Sequence, residues 1–226
     1  MELDLAMRTT GAVRGFTDAP VDDETLYRVL DRARFAPSGG NRQPWRVIVL
    51  EDPAVRRQVR DLCVLGWREY VAFVEAGEVP FAPGPDGMPN RSDIDLEAAR
   101  ATPRPSAFVD DLDQAPVVLV IAAHLPSLAV LDAGFERQSI IGGGSVYPFG
   151  QNLLLSARSE GLAGVMTTFL VRQEEAARTL LHLPPDFAVA ALVALGVPEK
   201  FPSRLKRRPV EEFTTIDAFD GPLLDG

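Results

Sequence analysis

The chain has 226 residues, 46% of them hydrophobic, enough to bury a substantial core in one domain. A net charge of −9 and an isoelectric point near 4.8 exclude a nucleic-acid partner held by a general basic field. One cysteine excludes an internal disulfide. No apolar run is long enough for a membrane helix and "MELDLAMRTT" lacks the regions of a leader, so a cytoplasmic protein without a membrane partner is expected.

In chain order, the first unusual stretch is "RTTGAVRGF" (8–16), where Arg8 and Arg14 flank Thr10, Gly11 and Ala12. Arginine forks with hydroxyls between them suit a phosphate, and solvated arginines on a short helix explain them equally well. Residues 22–35 place Leu26, Val29, Leu30 and Ala33 at helical spacing, with Asp22 or Asp23 as N-cap and Pro37 as the stop. "PSGGNRQPW" (37–45) follows. Its glycines let backbone approach a flat ligand, and Ser38, Asn41 and Gln43 offer hydrogen bonds to a heterocycle's edge. A helix cap and turn would use Pro37, Ser38 and one glycine but leave Asn41 and Gln43 idle.

"WRVIVLE" (45–51) reads as a buried strand, and Pro53 opens a helix over 53–65 with a further one reaching about 76. Cys63 sits in the apolar run "LCVLGW", which predicts a buried structural thiol. Residues 77–106 are crowded with prolines and glycines and read as an excursion, lid-like or ligand-binding, with a short helix at 93–101. A second buried strand spans 115–123. Residues 145–160 form a helix apolar around most of its circumference, for a core or a subunit interface, ended by Gly161.

Residues 162–170 read as extended, ending in "VMTTF" with Met166, Thr167 and Thr168. Strand propensity alone also accounts for the two hydroxyls. A helix over 173–183 and a strand over 187–197 complete the pattern. "LKRRPVEEF" (205–213) is a basic cluster in an acidic chain, either a solvated face or a phosphate anchor. The polar tail from about 203 to 226 reads as an arm. Interleaved helices and strands make the class α/β or α+β in a single domain over 1–226.

Side-chain chemistry is sparse. His124 and His182 stand in unrelated contexts, so neither a zinc site nor a Ser-His-Asp arrangement is expected, and no metal is assigned. The carboxylates form no conspicuous pair, neither GxGxxG nor a P-loop is present, and "GGGS" (142–145) lacks the lysine a P-loop needs. An organic cofactor is the natural source of chemistry.

Taken in order, these segments resemble the nitroreductase superfamily of flavin enzymes. Its members carry an N-terminal "RRSxRxF", a "PSxxNxQPW" loop, a strand with small or hydroxyl residues after "GL", and a late "KRxP". Here "PSGGNRQPW" is the most specific match, and "EGLAGVMTTFL" and "LKRRPVEEF" follow in the same order. The likeness covers about 7–76 and 107–217. It implies an α+β nitroreductase-like fold, a central mixed but mainly antiparallel sheet flanked by helices, in an intertwined homodimer whose two cofactor sites each draw on both chains.

By the same resemblance FMN is the cofactor and NAD(P)H the electron donor. The cofactor-binding set is Arg8, Thr10, Gly11, Ala12, Arg14, Pro37, Ser38, Gly39, Asn41, Met166, Thr167, Thr168, Lys206 and Arg207. Thr167 and Thr168 stand in the catalytic position beside the flavin, and Arg14 near its phosphate, ribityl or N1 region. The implied activity is ping-pong electron transfer to a small electron-poor substrate: a nitroaromatic, a quinone or an enone. The departure is Thr10-Gly11-Ala12, where the family shows "RRS"; that leaves open a weaker or rearranged FMN site, or a deazaflavin. Reductive dehalogenation, as in the iodotyrosine-deiodinase branch, and a non-catalytic flavin-binding protein are the alternatives.

Overall fold

The computed structural model describes residues 1–88 and 92–224. Its centre is a four-stranded sheet in the order β1-β2-β4-β3. The strands are β1 (Trp45–Val49), β2 (Val117–His124), β3 (Ala163–Thr167) and β4 (Phe187–Gly196), and every adjacent pair runs antiparallel. Among the described residues the parallel contribution is a single bridge between Ala12 and Gly164, where the N-terminal segment passes the edge of β3.

The helices are α1 (Leu3–Thr9), α2 (Asp23–Ala33), α3 (Pro53–Glu75), α4 (Leu96–Ala101), α5 (Ala107–Asp110), α6 (Tyr147–Ser159) and α7 (Glu174–Leu180). They cover both faces of the sheet, so its central strands read as unbroken apolar runs. Alternation still sorts their side chains. Leu119, Ile121, Val193 and Leu195 meet Val29, Phe149 and Leu153 of α2 and α6 on one face. Val118, Val120, Leu192 and Ala194 meet Val59, Cys63 and Leu112 on the other. Cys63 is fully buried, and desolvation pushes its thiol up to about 12, so it packs and does not react.

Local sequence explains most boundaries. Asp22 caps α2 by accepting the Thr25 N–H at 2.6 Å. The helix nevertheless closes at Arg34, ahead of Pro37. Asp52 caps α3, whose N-terminal Pro53 needs no N–H partner. In place of two helices, α3 runs unbroken for 23 residues. A register shift between Ile121 and Ala122 leaves Ala190 of β4 unpaired, and its carbonyl accepts the Tyr147 hydroxyl at 3.3 Å.

Two long segments lie outside this frame. The excursion at 77–106 contains α4, capped by Asp95, and its later half is clamped to α3. The Trp67 indole donates to the Arg104 carbonyl at 2.9 Å, and Arg68 to the Arg100 carbonyl at 2.8 Å. The other segment, between β2 and α6, is closed on Asp132, which accepts from Ser139 Oγ at 2.7 Å, the Ile140 N–H at 2.9 Å and Arg137 at 2.8 Å. These partners, the Ile140 N–H first, hold its carboxyl well below the usual carboxylate range. No helix among the described residues is long and apolar enough to cross a membrane.

Candidate functional site

The first and last of the unusual segments meet. After α1 the chain turns through Gly11 and Ala12 and docks on β3, with the Val13 N–H donating to the Gly164 carbonyl at 2.9 Å. From the other end, the Leu205 N–H donates to the Arg8 carbonyl at 3.3 Å. A Cβ added to Gly11 would lie 2.7 Å from Leu205 Cδ2, so a bare residue there lets the tail pass close.

Between these strands of backbone runs a groove of about 1240 Å³, lined by Arg8, Arg204, Lys206, Arg207 and Arg208, with Asp4 on one wall. In a chain of net charge −9 this is a local concentration of positive charge. Arg8 already pairs with Asp4 at 2.8 Å, but both side chains are more than three-quarters exposed, and such a pair is weak and easily exchanged for a ligand. Arg207 donates to the Lys206 carbonyl at 2.7 Å, leaving most of its fork available. Thr9 lines the groove and Thr10 does not; Thr10 Oγ1 is buried with no hydrogen-bond partner among the described residues. Native proteins leave few such groups, and ligands are a common reason for the exceptions.

The third segment touches the N-terminal segment through Gly164, whereas Met166, Thr167 and Thr168 do not line the groove. Met166 and Thr167 are half-buried at the end of β3, and Met166 packs its sulfur over Gly150 of α6. Thr167 Oγ1 lies 3.5 Å from the Phe169 N–H, a contact at the limit of hydrogen bonding, and Thr168 is exposed. Arg14 is set apart. It lines a separate cleft of about 680 Å³ with Phe16, Phe108 and Glu199, its guanidinium 5.9 Å from the Phe108 ring centre.

Pro37, Ser38, Gly39 and Asn41 do not line the cationic groove. Their loop docks on the start of α6, where the Gly39 N–H donates to Ser145 Oγ at 2.9 Å. Its shape is locked from within: Ser38 Oγ accepts the Gln43 N–H at 2.9 Å, and Gln43 Nε2 donates to Asn41 Oδ1 at 3.2 Å. Gly40, Asn41 and Gln43 all hold positive φ (60°, 53° and 49°), a strained run of the sort that persists where surrounding contacts over-determine it. Asn41 and Gln43 are therefore spent on the loop itself. Trp45 stacks on Phe149 at 4.9 Å directly behind it.

One expectation is corrected. A Ser-His-Asp alignment does occur: Ser127 Oγ lies 2.6 Å from His124 Nδ1, and His124 Nε2 lies 3.1 Å from Asp186. Pairing of β2 with β4 puts His124 opposite Phe187, which delivers Asp186 across the strands. The Leu125 N–H also donates to the Asp186 carbonyl at 2.9 Å, so the trio ties the strand ends together. Sequence reading also missed Ser145 and Glu69, whose partners lie 106 and more than 30 residues away, beyond any local pattern.

An antiparallel sheet enclosed by helices, with a cationic groove beside α1 and a glycine loop anchored just before α6, defines the molecule as an α+β protein. The Nitroreductase family model matches residues 7–197, and the chain belongs to the nitroreductase family. It is 33% identical to a nitrobenzene nitroreductase of Ectopseudomonas oleovorans, over 95% of this chain and 96% of that protein. A chloronitrobenzene nitroreductase of Comamonas testosteroni is 31% identical with the same coverage of both chains. The fold is shared with an iodotyrosine deiodinase solved with FMN and 3-iodo-L-tyrosine (TM-score 0.66, 23% identity, covering 97% of this chain and all of that one).

Proposed function

We propose that this chain is an FMN-dependent oxidoreductase that draws electrons from NAD(P)H and passes them, in two alternating half-reactions, to a small electron-poor acceptor, a nitroaromatic first of all. The observation that carries the reading is the groove lined by Arg8, Lys206 and Arg207, with the unpaired, buried Thr10 hydroxyl one residue beyond Thr9 of its wall. That donor set fits a phosphate monoester: a dianion takes bidentate arginine contacts, an ammonium and a neutral hydroxyl together. The sequence resemblance implies an arginine where Thr10 stands, so on this reading the charge is supplied from Arg8 and from the tail. FMN bound there supplies the two-electron carrier that the side chains lack.

The protein's own contributions follow from position. Arg8, Lys206 and Arg207 hold the anionic end, and Gly11 keeps the passage open for Leu205. Met166, Thr167 and Thr168, at the tip of β3 and outside the groove's lining, are assigned to the ring end, where they would offer hydroxyl and backbone donors to a developing negative charge. Arg14, separated from the groove, serves the ring end and not the phosphate. The loop at Pro37–Asn41 presents rigid backbone to a flat surface, and it reaches a groove from a second copy of the chain. Two relatives above 30% identity, named for nitrobenzene and chloronitrobenzene, direct the acceptor toward nitroarenes.

The test is an absorbance spectrum of the purified protein, the mass of the released cofactor, and bleaching by NADH or NADPH followed by reoxidation with a nitroarene. A colourless protein that ignores added FMN overturns the reading. A yellow protein that reduces nothing makes it a flavin carrier. Within the reading, Arg207→Ala weakens FMN binding about tenfold, an effect that shrinks as salt rises because the groove is exposed.

A further inference from the structure

One face of α3 is directed at the turn that follows β3. Gly66, Glu69 and Phe73 lie three and four residues apart, so they share that face. Gly66 sits against the Phe169 backbone carbonyl so closely that a methyl group would overlap it. Glu69 is fully buried. Its Oε1 accepts from Arg100 Nε at 2.5 Å and its Oε2 from Arg172 Nε at 2.5 Å, and Gln173 Nε2 lies 3.4 Å from Oε1. Phe73 packs on Phe81 with ring centres 4.6 Å apart, and the Arg172 guanidinium lies 4.5 Å over the Phe81 ring.

A single carboxylate thus joins three segments distant in sequence. They are α3, the excursion through Arg100, and the turn Phe169–Gln173, reached directly from Thr167 and Thr168. Burying one carboxylate costs heavily in desolvation, and apolar side chains of the same volume would pack these elements without that cost. What the ionic arrangement adds is directional: two arginines approach opposite oxygens of one group, which fixes both the turn and the excursion against the same helix. Nothing in the cationic groove uses it.

We propose that Glu69 is a positioning residue that fixes the Thr167–Thr168 end of β3 relative to the excursion, so that the excursion's placement governs how the acceptor is aligned. This rests on the reading that Thr167 and Thr168 border the cofactor. The experiment compares the full FMN-loaded protein with Glu69→Gln, Arg172→Gln and Arg172→Lys, measuring kcat and KM for a nitroarene together with FMN affinity by fluorescence titration. Misalignment of this kind lowers kcat for the nitroarene about tenfold in Glu69→Gln and Arg172→Gln, with FMN affinity unchanged and activity partly restored by lysine. Arg60→Gln, which breaks an ion pair at the other end of α3, leaves kcat unchanged. The proposal is overturned if the Arg172 variants keep wild-type kcat, or if activity falls only in step with lost FMN. Arg172 is partly exposed, so its variants decide the matter even where Glu69→Gln does not fold. A wild-type protein that binds no flavin defeats the functional reading itself.

Discussion

Thr10 is where stability and binding pull in opposite directions. A buried hydroxyl without a partner costs free energy, and on the proposed function it recovers that cost from a phosphate oxygen. Valine keeps the shape and removes the hydroxyl. Thr10→Val therefore leaves apoprotein stability unchanged or raises it by about 1 kcal/mol, while FMN affinity falls. Denaturant unfolding of the apoprotein and cofactor titration of the same sample check the two arms; lost stability with intact affinity would make the hydroxyl purely structural. Gly66 gives the opposite contrast to ordinary helix expectation. Alanine within a helix usually gains about 1 kcal/mol over glycine. Here its Cβ would strike the Phe169 carbonyl, which belongs to backbone and cannot swing aside. Overpacking of about 1–3 kcal/mol outweighs the propensity gain, and Gly66→Ala melts at a lower temperature than the wild type.

At the scale of elements, α2 and α6 are joined by one carboxylate, Glu160, which pairs with Arg32 at 2.5 Å and Arg28 at 3.1 Å. Hydrogen bonds from Arg32 first, then Arg28, hold its carboxyl below the ordinary 4.5. A depressed acid favours the folded state at pH values above its unfolded pKa, and that contribution disappears as pH falls through the folded value. Glu160→Gln accordingly lowers the denaturant midpoint at pH 7 and flattens its fall below 4.5, measured as midpoint against pH. Elements of this kind were legible where apolar spacing and caps sufficed. Leu26, Val29 and Ala33 marked α2, and the apolar runs marked β2 and β4. The continuity of α3 was not legible, because Gly66 looks like a break until Phe169 is seen against it. The loop closed on Asp132 left no periodic trace. Its order comes from side-chain bonds to Arg137, Ser139 and Ile140 that no spacing rule encodes. For the site, "PSGGN" was recognisable as a special loop, yet its anchor Ser145 and the remoteness of Arg14 from the groove required tertiary contacts.

At the scale of the whole molecule, several large apolar side chains stand exposed close together in sequence near the two chain ends. Leu3, Leu5 and Met7 on α1 are each at least half exposed, as are Phe213 and Phe219 in the C-terminal arm. Leu5 and Met7 line the cationic groove, while the glycine loop is anchored at Ser145, just before α6, and does not line it. The homodimer proposed above would reconcile the two, with the loop of one copy facing the groove of the other and the arms covering the apolar helix. Sedimentation should give a dimer, but a dimer alone does not establish a shared site. Mixing two crippled chains does. Arg207→Ala damages the groove, and Gly39→Val damages the loop, where a Cβ would already lie 2.9 Å from Ala129 Cβ. Each homodimer is impaired at both sites. After joint unfolding and refolding in equal amounts, half the dimers are mixed, and each mixed dimer has one site built from an intact groove and an intact loop. Activity then returns to about a quarter of the wild-type value, as two-fold symmetry requires. Sites contained within one chain would give no recovery, because every chain in the mixture carries one of the two lesions.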